Sequence, residues 1–312
     1  MPHTPFGIAV LGTGIMGRRM LAALQQHPRF RVVAAWDPDA TALQAALAPA
    51  PGVRAAASAE ALFDDAAVDV VYIASPPAAH AAALRLALRA GKPCLCEKPL
   101  THGVAEAEAL RDAVLAAGLP CAVNFPFARS VAANRLREIV QRGELGRIES
   151  AHIRLRFARW PREWQAGASA WLAGPAEGGF TREVLSHFAF LALRVFGPAE
   201  VAEVELQRAP GAAETALRAR WRHAGVEVQV DAAVAGERAD DNRFEVVGER
   251  GRVALKGWSQ LEHDGHTSER TDSTPLTLDG LAALLEGRPE HGLATLAEAA
   301  AVVRCIESML RG

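Results

Sequence analysis

The sequence predicts an α/β chain in two parts: a doubly wound parallel sheet, then an α+β domain built on a largely antiparallel open sheet. Three observations predict it. A short apolar run, Ile8-Ala9-Val10-Leu11, leads directly into Gly12-x-Gly14-x-x-Gly17 and an amphipathic stretch. Short apolar runs then alternate with helical stretches as far as residue 124, the rhythm of βαβ units. Beyond residue 147 the period changes to two, the mark of strands with one covered face. The expected domains are residues 1–122 and 123–312.

The first strand and its turn carry the strongest local signal. Gly12 permits the tight turn out of the strand, Gly14 lets backbone approach a pyrophosphate, and Gly17 lets the helix pack close to the strand. The start of that helix offers unpaired N–H groups and a positive dipole end. Arg31–Trp36 reads as the second strand, and Asp37 closes it about twenty residues past the last glycine. A carboxylate there accepts from an adenosine ribose hydroxyl. Strand, turn, helix and acidic residue together describe a Rossmann dinucleotide site formed by Gly12, Thr13, Gly14, Ile15, Met16, Gly17 and Asp37.

The remaining elements come in order along the chain. An Ala- and Leu-rich helix runs to residue 48 and stops at Pro49-Ala50-Pro51-Gly52. A strand at 53–57 leads to Ser58, the N-cap of a helix at 59–64. Asp69–Ala74 is a buried strand ending in Ser75-Pro76-Pro77, and its helix carries His80 and closes at Ala90 with Gly91 as its cap. Pro93–Cys96 is the next strand and Glu97-Lys98-Pro99 its turn, with the bond to Pro99 a candidate for cis. A helix at 103–117 and a strand at 120–124 complete the sheet. Ligands of such sheets lie at the carboxyl ends of the strands, so Ser75, Pro76, His80, Glu97, Lys98 and Asn124 are expected to join the cofactor crevice.

The second part opens with a helix at 128–142 ended by Gly143. Along 147–159, Ala151, Ile153, Leu155 and Phe157 share the apolar face. Arg154, Arg156, Arg159 and Arg162 read as a solvated strand face, or else the rim of a substrate mouth. Strands follow at 200–207, 214–223, 226–234, 243–248 and 251–257, interrupted by a helix at 181–196. The polar stretch 262–275 reads as a surface loop, and Asp279 and His291 as helix-end residues. Two helices finish the chain, the last opening with the capping box Thr295-Leu-Ala-Glu298.

Composition narrows the function classes. Half of the 312 residues are apolar, enough for two cores, and a net charge of -2 gives no sign of a nucleic-acid partner. No apolar run is long enough to span a bilayer, and the start lacks the basic flank and apolar core of a signal peptide. Cys94, Cys96, Cys121 and Cys305 form neither a disulfide framework nor a zinc spacing and read as small buried residues. The expectation is a cytoplasmic enzyme with no metal, membrane or nucleic-acid partner.

Two side chains stand out for chemistry. Lys98 lies just past a buried strand at the ligand end of the sheet, where an ammonium can bond the oxygen of a carbinol or carbonyl and share its proton. The alternative is a solvated turn lysine. His187 follows Glu183 by four residues on one predicted helix, so the carboxylate can orient the imidazole; the alternative is a core histidine beside a surface glutamate. Trp160, Trp164 and Trp171 offer a flat wall to a sugar ring, or core packing.

Three blocks carry a resemblance: Gly12-Thr-Gly-Ile-Met-Gly17, Asp69-Val-Val-Tyr-Ile-Ala-Ser-Pro-Pro-Ala-Ala-His80 and Cys96-Glu-Lys-Pro-Leu100. Through them nearly the whole chain resembles the Gfo/Idh/MocA oxidoreductases, named for glucose-fructose oxidoreductase, inositol dehydrogenase and a rhizopine-catabolism protein. The resemblance implies a Rossmann domain joined to an open C-terminal sheet that often builds oligomers, here a homodimer or homotetramer. It implies hydride transfer between a nicotinamide cofactor, NAD rather than NADP, and a sugar, polyol or related carbonyl. Lys98 becomes the leading catalytic residue, with His187 and Glu183 beside it and Arg182 and Trp164 among the substrate contacts. The family's D-x-G-x-H motif stands here as Glu183-Val-Leu185-Ser-His187, with glutamate for aspartate and leucine for glycine. Pro126 stands where an arginine is common. The rival expectations are an NAD-dependent glycosidase of the same family and a nucleotide-sensing regulator without turnover.

Overall fold

The computed structural model of the chain describes residues 4–311. The first elements are β1 (Phe6–Leu11), α1 (Ile15–Gln26), β2 (Phe30–Trp36), α2 (Ala40–Leu47), β3 (Arg54–Ala55), α3 (Ala59–Asp64), β4 (Val70–Ile73), α4 (Pro77–Ala90), β5 (Cys94–Glu97), α5 (Val104–Ala117) and β6 (Cys121–Asn124). The strands form one parallel sheet in the order β3-β2-β1-β4-β5-β6. Ile8, Val10, Val70, Tyr72 and Leu95 are all fully buried, as strands covered on both faces must be. Strand order reverses between β1 and β4, the switch point where such sheets open a crevice. Local signals work as read: the Ala61 N–H donates to Ser58 Oγ at 3.1 Å, Gly91 is left-handed, and the Lys98–Pro99 bond is cis.

The second sheet is built from β7 (Ile148–Arg156), β8 (Glu200–Arg208), β9 (Glu214–His223), β10 (Val226–Ala233), β11 (Asp241–Gly248), β12 (Gly251–Lys256), β13 (Gln260–His263) and β14 (His266–Thr267). Helix α6 (Val131–Gln141) precedes it, and α7 (Ser169–Leu172) and α8 (Ser186–Phe196) lie between β7 and β8. The order is β14-β13-β12-β11-β7-β10-β9-β8, antiparallel except where β7 and β10 run parallel. Ala151, Ile153, Leu155, Trp221, Val228 and Phe244 fill the covered face. On the other face charges pair across strands, Arg154 with Asp241 at 2.7 Å, Arg220 with Glu203 at 3.2 Å, and Arg156 with Asp231.

Several expectations need correcting. The stretch 262–275 is not all loop, because β13 and β14 form a hairpin whose turn residues Asp264 and Gly265 both have positive φ. Asp-Gly is the usual pair for such a turn, and only its polar flanks hid it. Arg154 and Arg156 sit on the central strand β7, each ion-paired, with Arg154 exposed on the solvated face. Arg162 is not solvated at all, being 6 % exposed.

The chain also separates into two compact units. After the second sheet come α9 (Thr274–Leu285) and α10 (Leu296–Arg311), the latter opened by the expected box: Glu298 N–H donates to Thr295 Oγ1 and Thr295 N–H to Glu298 Oε2. One compact unit runs to Phe125 and takes back Thr274–Ala300, while the other begins at Pro126 and resumes at Ala301. The cause is burial. Leu278, Leu281 and Leu293 share a core with Ile8, Val10, Leu21 and Leu24, and the Val123 N–H donates to Ala294 O at 2.9 Å. Asp279 therefore lies inside α9, 3.3 Å from His27 Nε2, and is no helix end. No helix among the described residues is long and apolar enough to cross a membrane.

Candidate active site

In the first unit, the turn after β1 is held against the turn after β4. Gly12 has φ +95°, and a Cβ there would stand 2.6 Å from Ser75 N. Only glycine tolerates both the conformation and the approach. Gly14 is exposed, and a Cβ on it would meet nothing within 4 Å, so the backbone is open to a ligand. No side chain caps α1 and no acidic residue stands in its first turn, which leaves its amide end to an anion. Ser75 Oγ is buried without a hydrogen-bond partner at the same place. An open glycine turn, an uncapped helix start and an unsatisfied hydroxyl fit a dinucleotide phosphate.

At the end of β2, the Asp37 carboxylate is fixed by the glycine turn itself. Its Oδ2 accepts from the Thr13 N–H at 2.6 Å and Thr13 Oγ1 at 3.0 Å, and its Oδ1 from the Asp39 N–H at 2.9 Å. A carboxylate has about four acceptor positions, so three donors leave room for a hydroxyl. Arg18 is exposed, as its place in α1 suggests, yet its Nη1 folds back to donate to Thr13 O at 2.8 Å. A cation is thus kept at this turn.

Lys98 is half-buried at the end of β5, and its setting is built from buried polar groups. Glu97, 6 % exposed, accepts on Oε1 from the Tyr72 hydroxyl and from Asn124 Nδ2 at 2.7 Å, and on Oε2 from the Lys98 N–H at 3.3 Å. Burial, and then the Glu97 charge, push the Tyr72 phenol well above its usual range, so it stays a donor. Glu97 and Asn124, expected against the cofactor, spend these bonds bracing the lysine's turn. His80 lies behind the same turn. Its ring is wholly buried, with Nδ1 2.8 Å from Pro99 O and Nε2 2.9 Å from Ser75 O. It braces the two turns from within. Pro76 beside it is exposed.

The second unit carries the other candidates. The predicted helix at 181–196 begins as one π turn, Thr181–Leu185, before α8. Gly179, at φ +94°, lets backbone close on the buried Glu214, whose Oε1 accepts from the Thr181 N–H at 2.6 Å. His187, 7 % exposed, sits edge-on to Trp258 and Phe127, with ring centroids 5.3 and 6.0 Å away. Glu183 Oε1 accepts from Gln165 Nε2 at 3.1 Å and lies 3.8 Å from Arg162 Nη2. Arg162 in turn pairs with Asp240 at 2.7 Å, and Asp240 accepts from the Trp258 indole N–H at 3.1 Å. Glu183 and His187 thus end one chain of contacts through Gln165, Arg162, Asp240 and Trp258. Sequence reasoning misses Gln165, Asp240 and Trp258, and no local signal marks them: 78 residues separate Arg162 from Asp240.

Trp164 is 44 % exposed, with the Arg162 guanidinium 4.8 Å from its ring centroid. Arg182, expected among the substrate contacts, bonds within the chain at all three guanidinium nitrogens. Its Nε and Nη2 fork onto Glu307 at 2.6 and 2.9 Å and its Nη1 donates to Pro175 O at 2.8 Å. The guanidinium is committed to α10.

Comparison with known proteins fits this architecture. Residues 6–125 match a model described as "Oxidoreductase family, NAD-binding Rossmann fold", and residues 133–254 match the GFO/IDH/MocA C-terminal domain. An uncharacterised oxidoreductase of Schizosaccharomyces pombe is 34% identical over 217 residues, 65% of this chain and 56% of that one. Inositol 2-dehydrogenase 2 of Saccharopolyspora erythraea is 33% identical over 157 residues, 49% of this chain and 46% of that one. The chain therefore spans about half the length of the curated relatives it matches. Among solved structures, a 3-ketoreductase from Actinomadura kijaniata in complex with NADP and TDP-benzene superposes with TM-score 0.83 at 22% identity, covering 99% of this chain and 98% of that one.

Proposed function

Because the chain belongs to the Gfo/Idh/MocA oxidoreductase family, we propose that it is an NAD-dependent dehydrogenase or reductase acting on a CH–OH or C=O group of a sugar or polyol. The observation that carries the reading is Lys98, held on a braced turn at the carboxyl end of β5 in the same sheet as an open glycine turn. The nicotinamide, when bound, supplies the hydride chemistry. The Gly12–Gly17 turn and the start of α1 would hold its phosphates, Asp37 the adenosine ribose, and Ser75 a neighbouring polar atom. Lys98 would donate to the substrate oxygen at Nζ and carry its proton as that oxygen changes between hydroxyl and carbonyl. His187 would be the acid/base partner, with Glu183 setting its orientation. The inositol 2-dehydrogenase relative favours a polyol or sugar-like substrate. Absorbance of NADH across a polyol and sugar panel tests the reading; silence in both directions with every compound would overturn it. We also propose a homodimer or homotetramer through the C-terminal sheet, to be checked by sedimentation.

Two predictions belong here. Cofactor titration should show at least about tenfold preference for NAD over NADP, equivalent to roughly 1.4 kcal/mol. The Asp37 carboxylate would face the 2′-phosphate of NADP at close range, at a cost of a few kcal/mol for an effective dielectric near 20. Asp37→Ala should gain NADP binding, with Arg18 already folded onto the same turn. Equal binding by the wild type would place Asp37 away from the ribose. The second concerns Glu183 and His187. If they act as one unit, Glu183→Gln and His187→Asn lose activity non-additively in a double-mutant cycle. Additive losses would make Glu183 a structural partner of Gln165 and Arg162.

A further inference from the structure

We propose that His80 is the positioning residue for Lys98, bridging the turn after β4 to the turn after β5 through two backbone carbonyls. The proposal rests on the role given to Lys98 above. His80 stands in the first turn of α4 with its ring fully buried, Nδ1 2.8 Å from Pro99 O and Nε2 2.9 Å from Ser75 O. Pro99 follows Lys98 directly, and Ser75 N is the atom that crowds Gly12. One ring therefore spans the distance between the glycine turn's neighbour and the lysine's neighbour.

The chemistry of the two partners is unusual. Carbonyl oxygens only accept, and a neutral imidazole carries one donor and one acceptor. Neutral His80 can bond one carbonyl while presenting a lone pair to the other; only the imidazolium satisfies both. Burial, set against the two carbonyls and reinforced by the charge of Lys98, holds the ring below the usual histidine pKa. The lysine is thus flanked on both sides by buried side chains. Its own N–H is taken by Glu97, which Tyr72 and Asn124 hold in place, and the next carbonyl is taken by His80. Glutamine keeps N–H donors for these carbonyls, and phenylalanine keeps none. A reacting group displaced by about 1 Å can cost a hundredfold in rate, so fixing this turn bears on turnover more than on binding.

The test compares His80→Gln and His80→Phe. In His80→Phe we expect kcat to fall about tenfold or more, with KM and the NAD dissociation constant within about threefold of wild type, and His80→Gln to recover part of the loss. A second readout needs no turnover: ¹⁵N NMR titration of the His80 ring in wild type and in Lys98→Met. Removing the lysine charge should move the ring's titration upward. Wild-type kcat in His80→Phe, equal loss in kcat and cofactor binding, or an unmoved ring in Lys98→Met would each overturn the proposal. Failure of the dehydrogenase reading looks different, since wild type would then be silent across the substrate panel while the NMR comparison still reports on the bridge.

Discussion

Lys98→Met lowers kcat by about a hundredfold or more while leaving NAD affinity within about threefold of wild type. Methionine keeps the apolar stem of the side chain and removes both the charge and the N–H donors. The residues assigned to the dinucleotide lie on the turn after β1 and at the ends of β2 and β4, so the cofactor loses none of them. Turnover loses its proton carrier, and a hundredfold corresponds to about 2.7 kcal/mol of transition-state stabilisation. The backbone of the turn should survive, because Glu97 and His80 hold main-chain atoms rather than the ammonium. Steady-state kinetics beside fluorescence titration of NADH separates the two quantities. Turnover near that of the wild type would remove Lys98 from the mechanism, and a large loss of NADH affinity would make it a cofactor ligand instead.

What the sequence discloses here depends on how far apart the interacting residues are. Signals complete within a few residues are legible: the glycine turn after β1, the Ser58 cap, the left-handed Gly91 and the box at Thr295 and Glu298. Period also tells the two sheets apart, since β4 is buried on both faces and β7 on one. Contacts set by the tertiary fold are not legible. The return of residues 274–300 to the first unit depends on which core has room for Leu278 and Leu281, and no local pattern states that. The thiols of Cys94 and Cys121 lie 3.1 Å apart because β5 and β6 are in register, although 27 residues separate them. The same holds for the candidate site. The glycine turn, Asp37 and Lys98 can be named from local pattern, but His80 as a brace and the path from Glu183 to Trp258 require the fold. The π turn at Thr181–Leu185 is likewise a break in the helical period that no local pattern states.

Arg182 shows what that break implies, and it supports the second large effect: Glu307→Gln should destabilise the chain by about 3 kcal/mol or more. Arg182 sits in the π turn and Glu307 on α10, at 9 % and 8 % exposure. The planar fork donates twice to one carboxylate, at 2.6 and 2.9 Å, and its remaining terminal nitrogen reaches Pro175 O and Gly178 O. Water is scarce there, so neutralising Glu307 leaves a guanidinium buried without its counter-charge, and that is the expensive outcome. Removing both partners, as in Arg182→Met with Glu307→Leu, should recover much of the loss, because no uncompensated charge remains. Denaturant unfolding of the two variants beside the wild type measures this directly. A loss below about 1 kcal/mol in Glu307→Gln would mean that water already reaches the pair. An Arg182 variant that kept full stability and raised KM would return Arg182 to the substrate contacts, against the geometry that ties it to α10.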